Sequence, residues 1–539
     1  MTTLLLLITF VFWSAVIIKN GLFWIYLWQV KEYRFDRVKV HFELTSSRKL
    51  VFSRQNLFLL LLLLASFTPF TIPVILVAAA YYGFFASRAF QHLQNNSLKA
   101  PKFTFRAILV TATVLFVYGA GTTAIFVWSF DNILIWFVAA DLVVPVVVFA
   151  SVLATQPFFT FLKNRIIKRA IKKREKMKDL LVIGITGSYG KTSMKELLSD
   201  ILSKKFKVLK TPENINVDIG VARVILKQLK EDHEVFIVEM GAYKKGEIEK
   251  TAKVAKPQIS ILTGINMQHV SLFGNLANTQ QAKYELVEAL PDKGLALFNG
   301  DDENTRALFR QCKNPKRLYA TNTLVDKSPQ SVMLNHIKVS PEGLELKVAE
   351  EGKEIVLKTP LLGKHNATNI MGAVTLAREL RVEWRHIKEA LEETQARTRM
   401  LQLKKGIKES IIIDDTYSAN ENGVLAALDV LNRMKGRRKI CVIQPLIELG
   451  PSAEKVHRSI AASIAQVCDF CIVTGRDFYS AMCQEAMDNG MSKDAIFCLP
   501  NPHDALRKTQ ELTDKGDIIL LENRIPERIV EGVIVHKNK

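Results

Sequence analysis

Residues 182–198 read VIGITGSYGKTSMKELL. An apolar run ends in a Gly-Ser-Tyr-Gly turn, and Lys191, Thr192 and Ser193 follow where a helical pattern begins. These are the residue types of a phosphate cradle. Glycines let backbone amides approach an anion, and the N-terminus of a helix adds partial positive charge. In such a loop Lys191 reaches the terminal phosphates and the Thr192 hydroxyl binds Mg²⁺. Thr186, Gly187, Ser188, Gly190, Lys191, Thr192 and Ser193 are therefore the candidate nucleotide contacts. The usual spacing puts another glycine five residues before Gly190, and here that position is Ile185. Glu239 ends the apolar run EVFIVEMG. At the carboxyl edge of an open α/β sheet, where ligands bind, a carboxylate is placed to hold Mg²⁺. His269 lies just past QISILTGI, on the same edge.

The elements that must hold these residues are legible as alternating patterns. LLVIGITG (180–187), EVFIVEMG (234–241), QISILTGI (258–265) and GLALFN (294–299) are strand-like, with amphipathic stretches such as 192–204 and 275–290 between them. Such alternation predicts a parallel sheet covered by helices on both faces. A second set follows: SIIIDD (410–415), KICVIQP (439–445), FCIVTG (470–475) and GDIILLEN (516–523). Helical patterns at 421–434, 452–466 and 502–512 separate them, which predicts a second, Rossmann-like α/β domain from about 397.

The N-terminal third is different in kind. Mean hydropathy is +0.11 over 539 residues, and the excess sits in 3–18, 57–88, 107–129 and 133–154. Apolar runs of about 18 residues suffice to cross a bilayer. Basic residues crowd 31–54, 88–106 and 163–178, the last reading KNRIIKRAIKKREKMK. By the positive-inside rule these three loops are cytoplasmic. That predicts about five spans, with a hairpin in 57–88 broken near Pro69 and Pro73 and another turning at Asp131-Asn132. The N-terminus is then external and everything after 160 cytoplasmic, on a multi-pass protein of the plasma membrane. The formal charge of +20 belongs beside anionic lipid. Nucleic-acid binding is the rival reading of that charge, and the clustering of basic residues next to the spans argues against it. All six cysteines fall in the predicted cytoplasmic part, so free thiols are expected. Cys468 and Cys471 form one CxxC pair, better read as a buried helix-to-strand junction than as a zinc site. The expected organisation is a transmembrane domain (1–160), a basic juxtamembrane linker (161–179), an ATP-binding domain (180–396) and a C-terminal domain (397–539).

TGSYGKT (186–192), TPENINVDIG (211–220), VEMGAYKKGEI (238–248), TGINMQHVSLFG (263–274), AKYE (282–285), NGDD (299–302), GKHNATN (363–369) and DDTYSAN (414–420) occur in this order. Together they resemble the Mur ligases, above all the branch that adds D-alanyl-D-alanine to a muramoyl peptide. The resemblance covers about 180–539. It implies an ATP-dependent carboxylate–amine ligase working through an acyl phosphate, with two Mg²⁺ ions. It also implies roles. Lys191 grips the β- and γ-phosphates, Thr192 and Glu239 hold the first Mg²⁺, and His269 holds the second. Lys283 matches a lysine that is carbamylated in several members and then serves as a metal ligand. Asn299 matches an adenine-side residue, Arg399 a phosphate contact and Asp415 a ribose contact. Asn214 and Asn216 match the loop beside the second metal, and Asn420 the stretch facing the incoming amine.

Four departures accompany the resemblance. The family's N-terminal nucleotide-sugar domain is replaced by the apolar region. DDTYSANEN carries Ser418 and Glu421 where the family has DDxYNANP. QPLIELG (444–450) lacks the usual Gly-Asp-Met before Glu-Leu-Gly, and ENRIPER (522–528) stands where Lys-Gly-Ser-Arg is expected, leaving Arg524 as the nearest match. The nucleotide half is intact and the substrate half altered. The expectation is a ligase of peptidoglycan precursors acting on a small-molecule or lipid-linked peptide at the bilayer. The alternatives are a membrane-bound poly-amino-acid or other amide ligase, and a non-catalytic ATP-binding scaffold.

Overall fold

The computed structural model describes residues 2–42, 50–68, 71–95, 97–128, 133–266, 270–321, 332–340, 342–394, 401–416, 420–447 and 449–535. The chain divides into two compact units, 1–165 and 166–539.

The first unit is helical. Thr2–Val30, Ile72–Gln94, Phe105–Trp128 and Val144–Glu175 are each long and apolar enough to cross a bilayer. The expected break in 57–88 falls between the helices Arg54–Ala65 and Thr71–Gln94. Its first arm has only 12 residues, or about 18 Å of helix against a hydrocarbon core of about 30 Å. The turn at Asp131-Asn132 lies outside the described residues. The apolar run from 133 is two helices, Ile133–Leu142 and Val144–Glu175, because Pro145 has no N–H to give the Asp141 carbonyl. Near this break, Phe137 O accepts from Trp13 Nε1 at 2.7 Å and Ala140 O from the Tyr118 hydroxyl at 2.9 Å. Asn20 Nδ2 donates to the buried Asp141 carboxylate at 3.0 Å.

The second unit holds two six-stranded sheets. The first runs β2-β3-β1-β4-β5-β6, all parallel. Its strands are β1 (Leu181–Thr186), β2 (Val208–Lys210), β3 (Val235–Glu239), β4 (Ile259–Leu262), β5 (Leu295–Asn299) and β6 (Lys316–Tyr319). β1 and β3 are buried almost throughout, as continuous Val/Ile runs require when both faces carry helices. A three-stranded antiparallel meander follows: β7 (Met333–Ser340), β8 (Gly343–Glu350) and β9 (Lys353–Thr359).

The second sheet runs β10-β11-β15-β12-β13-β14. Its strands are β10 (Gln402–Lys405), β11 (Ile411–Asp415), β12 (Lys439–Ile443), β13 (Phe470–Val473), β14 (Ile496–Cys498) and β15 (Ile518–Glu522). Five are parallel, but β10 is antiparallel to β11, so the sheet is mixed rather than purely Rossmann-like. The reason is local. β10 and β11 are joined by a short turn closed by Gly406 N donating to Ser410 O at 2.8 Å, too short for a parallel crossover. Cys468 caps the helix Ala453–Val467 and Cys471 lies in β13, both buried beside Cys441 of β12. All six thiols are free. The Cys441 thiol, within hydrogen-bonding reach of Cys468 and Cys471 and buried, is pushed well above its ordinary range.

The basic stretch 163–178 is helical to Glu175. Ala170 is fully buried, and Ile166, Ile167, Ile171 and Met177 pack on a core that includes Val182, Phe236 and Val238. Two of its cations cap other helices. Lys173 Nζ donates to Leu226 O and Leu229 O, at 3.3 and 2.6 Å, at the end of the helix Asp218–Lys227. Arg174 donates to Ala255 O at the end of the helix Glu247–Ala255, and to Met177 O and Leu180 O at the entry to β1. Cations at helix C-termini satisfy the last carbonyls and the helix dipole. Lys168, Arg169 and Lys172 remain exposed.

Candidate active site

β1 opens into the glycine turn, and the helix Lys191–Leu202 starts directly after it. Gly187 has φ +154° and Gly190 φ +78°. A Cβ on Gly187 would lie 2.1 Å from Thr263 Oγ1, and one on Gly190 2.9 Å from Asn369 Oδ1. Both positions therefore need glycine for backbone angle and for space. The turn is pinned from the β4 side. Ser188 N donates to Gly264 O at 2.6 Å, Thr263 Oγ1 donates to Tyr189 O, and the Tyr189 hydroxyl donates to Asp302 Oδ2 at 3.0 Å.

Lys191 folds back on its own loop, donating to Gly187 O at 2.8 Å and Ser188 O at 3.3 Å. Burial lowers its pKa, and Glu239 partly offsets this. Glu239 is 4% exposed and gathers three donors. Thr192 Oγ1 is at 3.0 Å from Oε2, Lys195 Nζ at 3.3 Å from Oε2, and Asn216 Nδ2 at 3.4 Å from Oε1. The Glu239 amide donates to Thr211 Oγ1 at 3.1 Å. Thr186 Oγ1 donates to Met240 O at 2.8 Å, locking β1 to the end of β3. A hydroxyl and a carboxylate 3.0 Å apart at the mouth of an anion cradle are the hard oxygen donors Mg²⁺ takes, so these residues fit the metal and the phosphates.

Lys283 comes from the helix Leu276–Glu288 and is 3% exposed, with its ammonium 5.6 Å from the Phe273 ring. Burial, then the neighbouring Lys191 charge, pull it down to about 7, against the raising effect of Glu247 and Glu285. Asn299 is buried at the end of β5. Its amide donates to Thr263 O and its Oδ1 accepts from Asp301 N at 2.9 Å, so it buttresses the loop edge. Asn214 sits at φ +60° in the loop that carries Asn216. Asp415 ends β11, and Asn420 caps the helix Glu421–Arg433 by accepting from Gly423 N at 3.1 Å. His269 and Arg399 lie outside the described residues.

Three contributors escape the sequence reading. Lys195 is fully buried against Glu239, four residues after Lys191 and so on the same helix face, which was the available signal. Asp302 holds Tyr189, and only the NGDD stretch hinted at it. Asn266 bridges the two sheets. Its amide donates to Ser188 Oγ at 3.2 Å, and its side chain donates to Asn422 Oδ1 at 2.7 Å, on the helix that follows Asp415.

A parallel sheet whose central strand opens into a glycine turn, closed by Lys-Thr and faced by a buried glutamate, defines a phosphate-loop nucleotide-binding fold. Residues 185–377 match the Mur ligase middle domain, and 397–522 the Mur ligase glutamate ligase domain. The two matches take in more than half of the chain, which belongs to the Mur ligase family.

Among its relatives is the UDP-N-acetylmuramoyl-tripeptide–D-alanyl-D-alanine ligase of Buchnera aphidicola subsp. Baizongia pistaciae. It is 33% identical over 283 residues, 52% of this chain and 60% of that protein. The ligase of the same name from Bacillus subtilis is 28% identical over 343 residues, 63% of this chain and 72% of that one. The crystal structure of MurF from Acinetobacter baumannii superposes with a TM-score of 0.60 at 26% identity, covering 68% of this chain and 80% of that one. The chain thus spans about three fifths of the length of the first of these relatives.

Proposed function

We propose that this protein is an ATP-dependent ligase that joins a carboxylate to an amine, adding D-alanyl-D-alanine or a similar amine to a muramoyl peptide in peptidoglycan precursor synthesis. The observation that carries this reading is the Thr192–Glu239 pair, 3.0 Å apart beside Lys191. ATP supplies the phosphoryl group, and bound Mg²⁺ neutralises charge on it. The protein's own part is positioning and electrostatics, as for phosphoryl transfer generally. Lys191 leaves the Gly187 and Ser188 carbonyls to meet the phosphates. Thr192 and Glu239 would hold the first metal, Asn214 and Asn216 would lie in the loop beside a second, and His269 would be the ligand of that second ion. The substrate carboxylate takes the γ-phosphoryl group, forming an acyl phosphate and ADP. The amine attacks that carbonyl, and phosphate departs as the amide forms.

Lys283 is the lysine for carbamylation. It is buried near Lys191, and adding CO₂ to its amine would turn a like-charge neighbour into an anionic metal ligand. Asn299 and Asp415 belong to the adenosine side, Arg399 to the phosphates, and Asn420 to the amine side. Domain boundaries follow the chemistry: an ATP-binding part through about 396 and a C-terminal part after it.

The helices of 1–165 anchor the enzyme in the plasma membrane, with the α/β domains on the cytoplasmic face. Loop charge asks for two passes between residues 54 and 88, and the 12-residue arm is the pass that length disfavours. The deciding experiment on function is a substrate screen with mass spectrometry of products. UDP-linked and lipid-linked muramoyl peptides are tested against D-alanyl-D-alanine and other amines. Amide product with ADP release supports the reading, and ATP turnover that needs neither a carboxylate nor an amine overturns it.

A further inference from the structure

The stretch ENRIPER was left without a role, and its first two residues occupy an unusual place. Glu522 ends β15, the strand between β11 and β12, and lies in register with Asp415 of β11 and Ile443 of β12. Glu522 is 0% exposed, Asn523 3% and Asp415 7%. Glu522 Oε1 accepts from Asn523 N at 3.1 Å, while Oε2 has no donor among the described residues. Asn523 sits at φ +62°, with its Nδ2 committed to Gln444 O at 2.7 Å and Pro445 O at 3.3 Å. Its Oδ1 also has no donor among the described residues. Two adjacent buried acceptors thus stand beside a second carboxylate. Arg524, the next cation along the chain, is exposed. Burial and Asp415 hold the Glu522 carboxyl well above the usual range, so a cation at Oε2 is what would favour its ionised, purely accepting form.

Buried acceptors without donors are costly, and native proteins seldom leave them so. The group that best completes this cluster brings several N–H donors and a positive charge. A primary ammonium has three such donors. A divalent cation is a poorer fit. A hard divalent cation takes about six or more oxygen ligands, whereas the two acceptors left without donors match the N–H groups of an ammonium. The position is also right for the reaction. Asn422, seven residues beyond Asp415, meets Asn266, whose amide bonds to Ser188 of the phosphate loop. The carboxyl edge of the second sheet is therefore tied to the edge where the acyl phosphate would form.

We propose that Glu522 and Asn523 form the seat for the ammonium group of the amine substrate, which binds there as a cation and gives up a proton before its nitrogen attacks the acyl phosphate. This rests on the ligase reading above and names the residues that select its acceptor. Truncating one partner of a buried charge pair typically loses about 2–5 kcal/mol, or roughly 30-fold and more in affinity.

The test uses the full chain in detergent, with D-alanyl-D-alanine as probe and N-acetyl-D-alanyl-D-alanine, which lacks the ammonium, as control. Initial rates and calorimetry are compared for wild type and Glu522→Gln, with thermal melting to confirm that the variant is folded. The expected result is a KM for the dipeptide raised about 30-fold or more in Glu522→Gln, an ATP KM within about twofold of wild type, and no competition by the acetylated dipeptide. An unchanged dipeptide KM, a parallel rise in both KM values, or equal binding of the acetylated dipeptide overturns the seat, as a structural or water-filled cluster would give. If wild type forms no amide with D-alanyl-D-alanine, the substrate assignment fails separately. Calorimetry with glycine, L-alanine and L-lysine then decides the seat. Tighter binding of any one to wild type than to Glu522→Gln supports it, and its absence for all three overturns it.

Discussion

Replacing Arg174 with methionine keeps the apolar stem and removes the guanidinium. Arg174 is 5% exposed and donates to Ala255 O at 3.1 Å, Met177 O at 2.7 Å and Leu180 O at 3.1 Å. A hydrogen bond from a charged donor contributes about 1.5–3 kcal/mol. Three would sum to about 5–9 kcal/mol, but burying the guanidinium itself costs several kcal/mol. The carbonyls at Met177 and Leu180 also keep part of their hydration when the chain relaxes. The net loss expected for Arg174→Met is about 2–4 kcal/mol. A fragment beginning at Ile166 contains a single tryptophan, Trp384, which bonds to Glu350 Oε2 at 2.9 Å and so reports on the first α/β part. Urea unfolding followed at Trp384 measures the change. The exposed Lys168→Met serves as control and should stay within about 0.5 kcal/mol of the parent. A loss below about 1 kcal/mol for Arg174→Met would refute the claim that this basic segment is part of the ligase fold. A fragment cut at Leu180 should be unstable for the same reason.

Lys191→Ala should lower ligase turnover by about 10³-fold or more while the protein still melts cooperatively, because one charge aimed at the transferring phosphate is lost. Gly187→Ala should abolish nucleotide binding in a filter or calorimetric assay, since the new methyl collides with the Thr263 hydroxyl. His457 is buried and held neutral, its Nδ1 on Ala453 O at 2.7 Å and its Nε2 accepting from Leu446 N at 3.0 Å. Burial lowers its pKa below 6.5. The unfolded chain therefore takes up this proton first, and stability falls as pH drops below about 6.5, by at most about 1.4 kcal/mol per pH unit. Denaturation at pH 5 and 7 should show that slope weakened in His457→Gln. A reporter at the N-terminus should score external if the short arm Arg54–Ala65 completes a fifth crossing, and cytoplasmic if four helices cross.

The strands β1, β3, β4, β5, β11, β12, β13 and β15 were legible because each is a short apolar run, and their observed ends lie close to the expected ones, whereas the short strands β2, β6 and β14 carry no such run. The meander β7-β8-β9 was not, since its residues alternate charge with apolar character and carry no single dominant run. The stretch 163–178 misled in another way. Its charge density suggested a lipid-facing linker, while Ile166, Ile167, Ala170 and Ile171 recur at helical spacing and face a protein core. The phosphate loop was legible because glycine, lysine and threonine have few other reasons to stand together after a buried strand. Lys195 and Asn266 were not, because a single Lys or Asn acquires meaning only from what the fold sets opposite it. Glu522 stood out only as the first residue of ENRIPER, at the end of the strand-like run GDIILLEN. Its burial follows from β15 lying between two other strands, an order that local pattern does not disclose.

The three neighbouring thiols of Cys441, Cys468 and Cys471 join two strands and a helix end inside the C-terminal sheet. All three are buried, and burial with hydrogen bonding to its two neighbours keeps the Cys441 thiol protonated. A thiol reagent can modify them only when that sheet opens. Their labelling rate is therefore a built-in clock for breathing of the C-terminal domain, readable by mass spectrometry without adding a probe to the protein. Slower labelling when nucleotide and amine are both present would measure how far substrate binding tightens this half of the molecule.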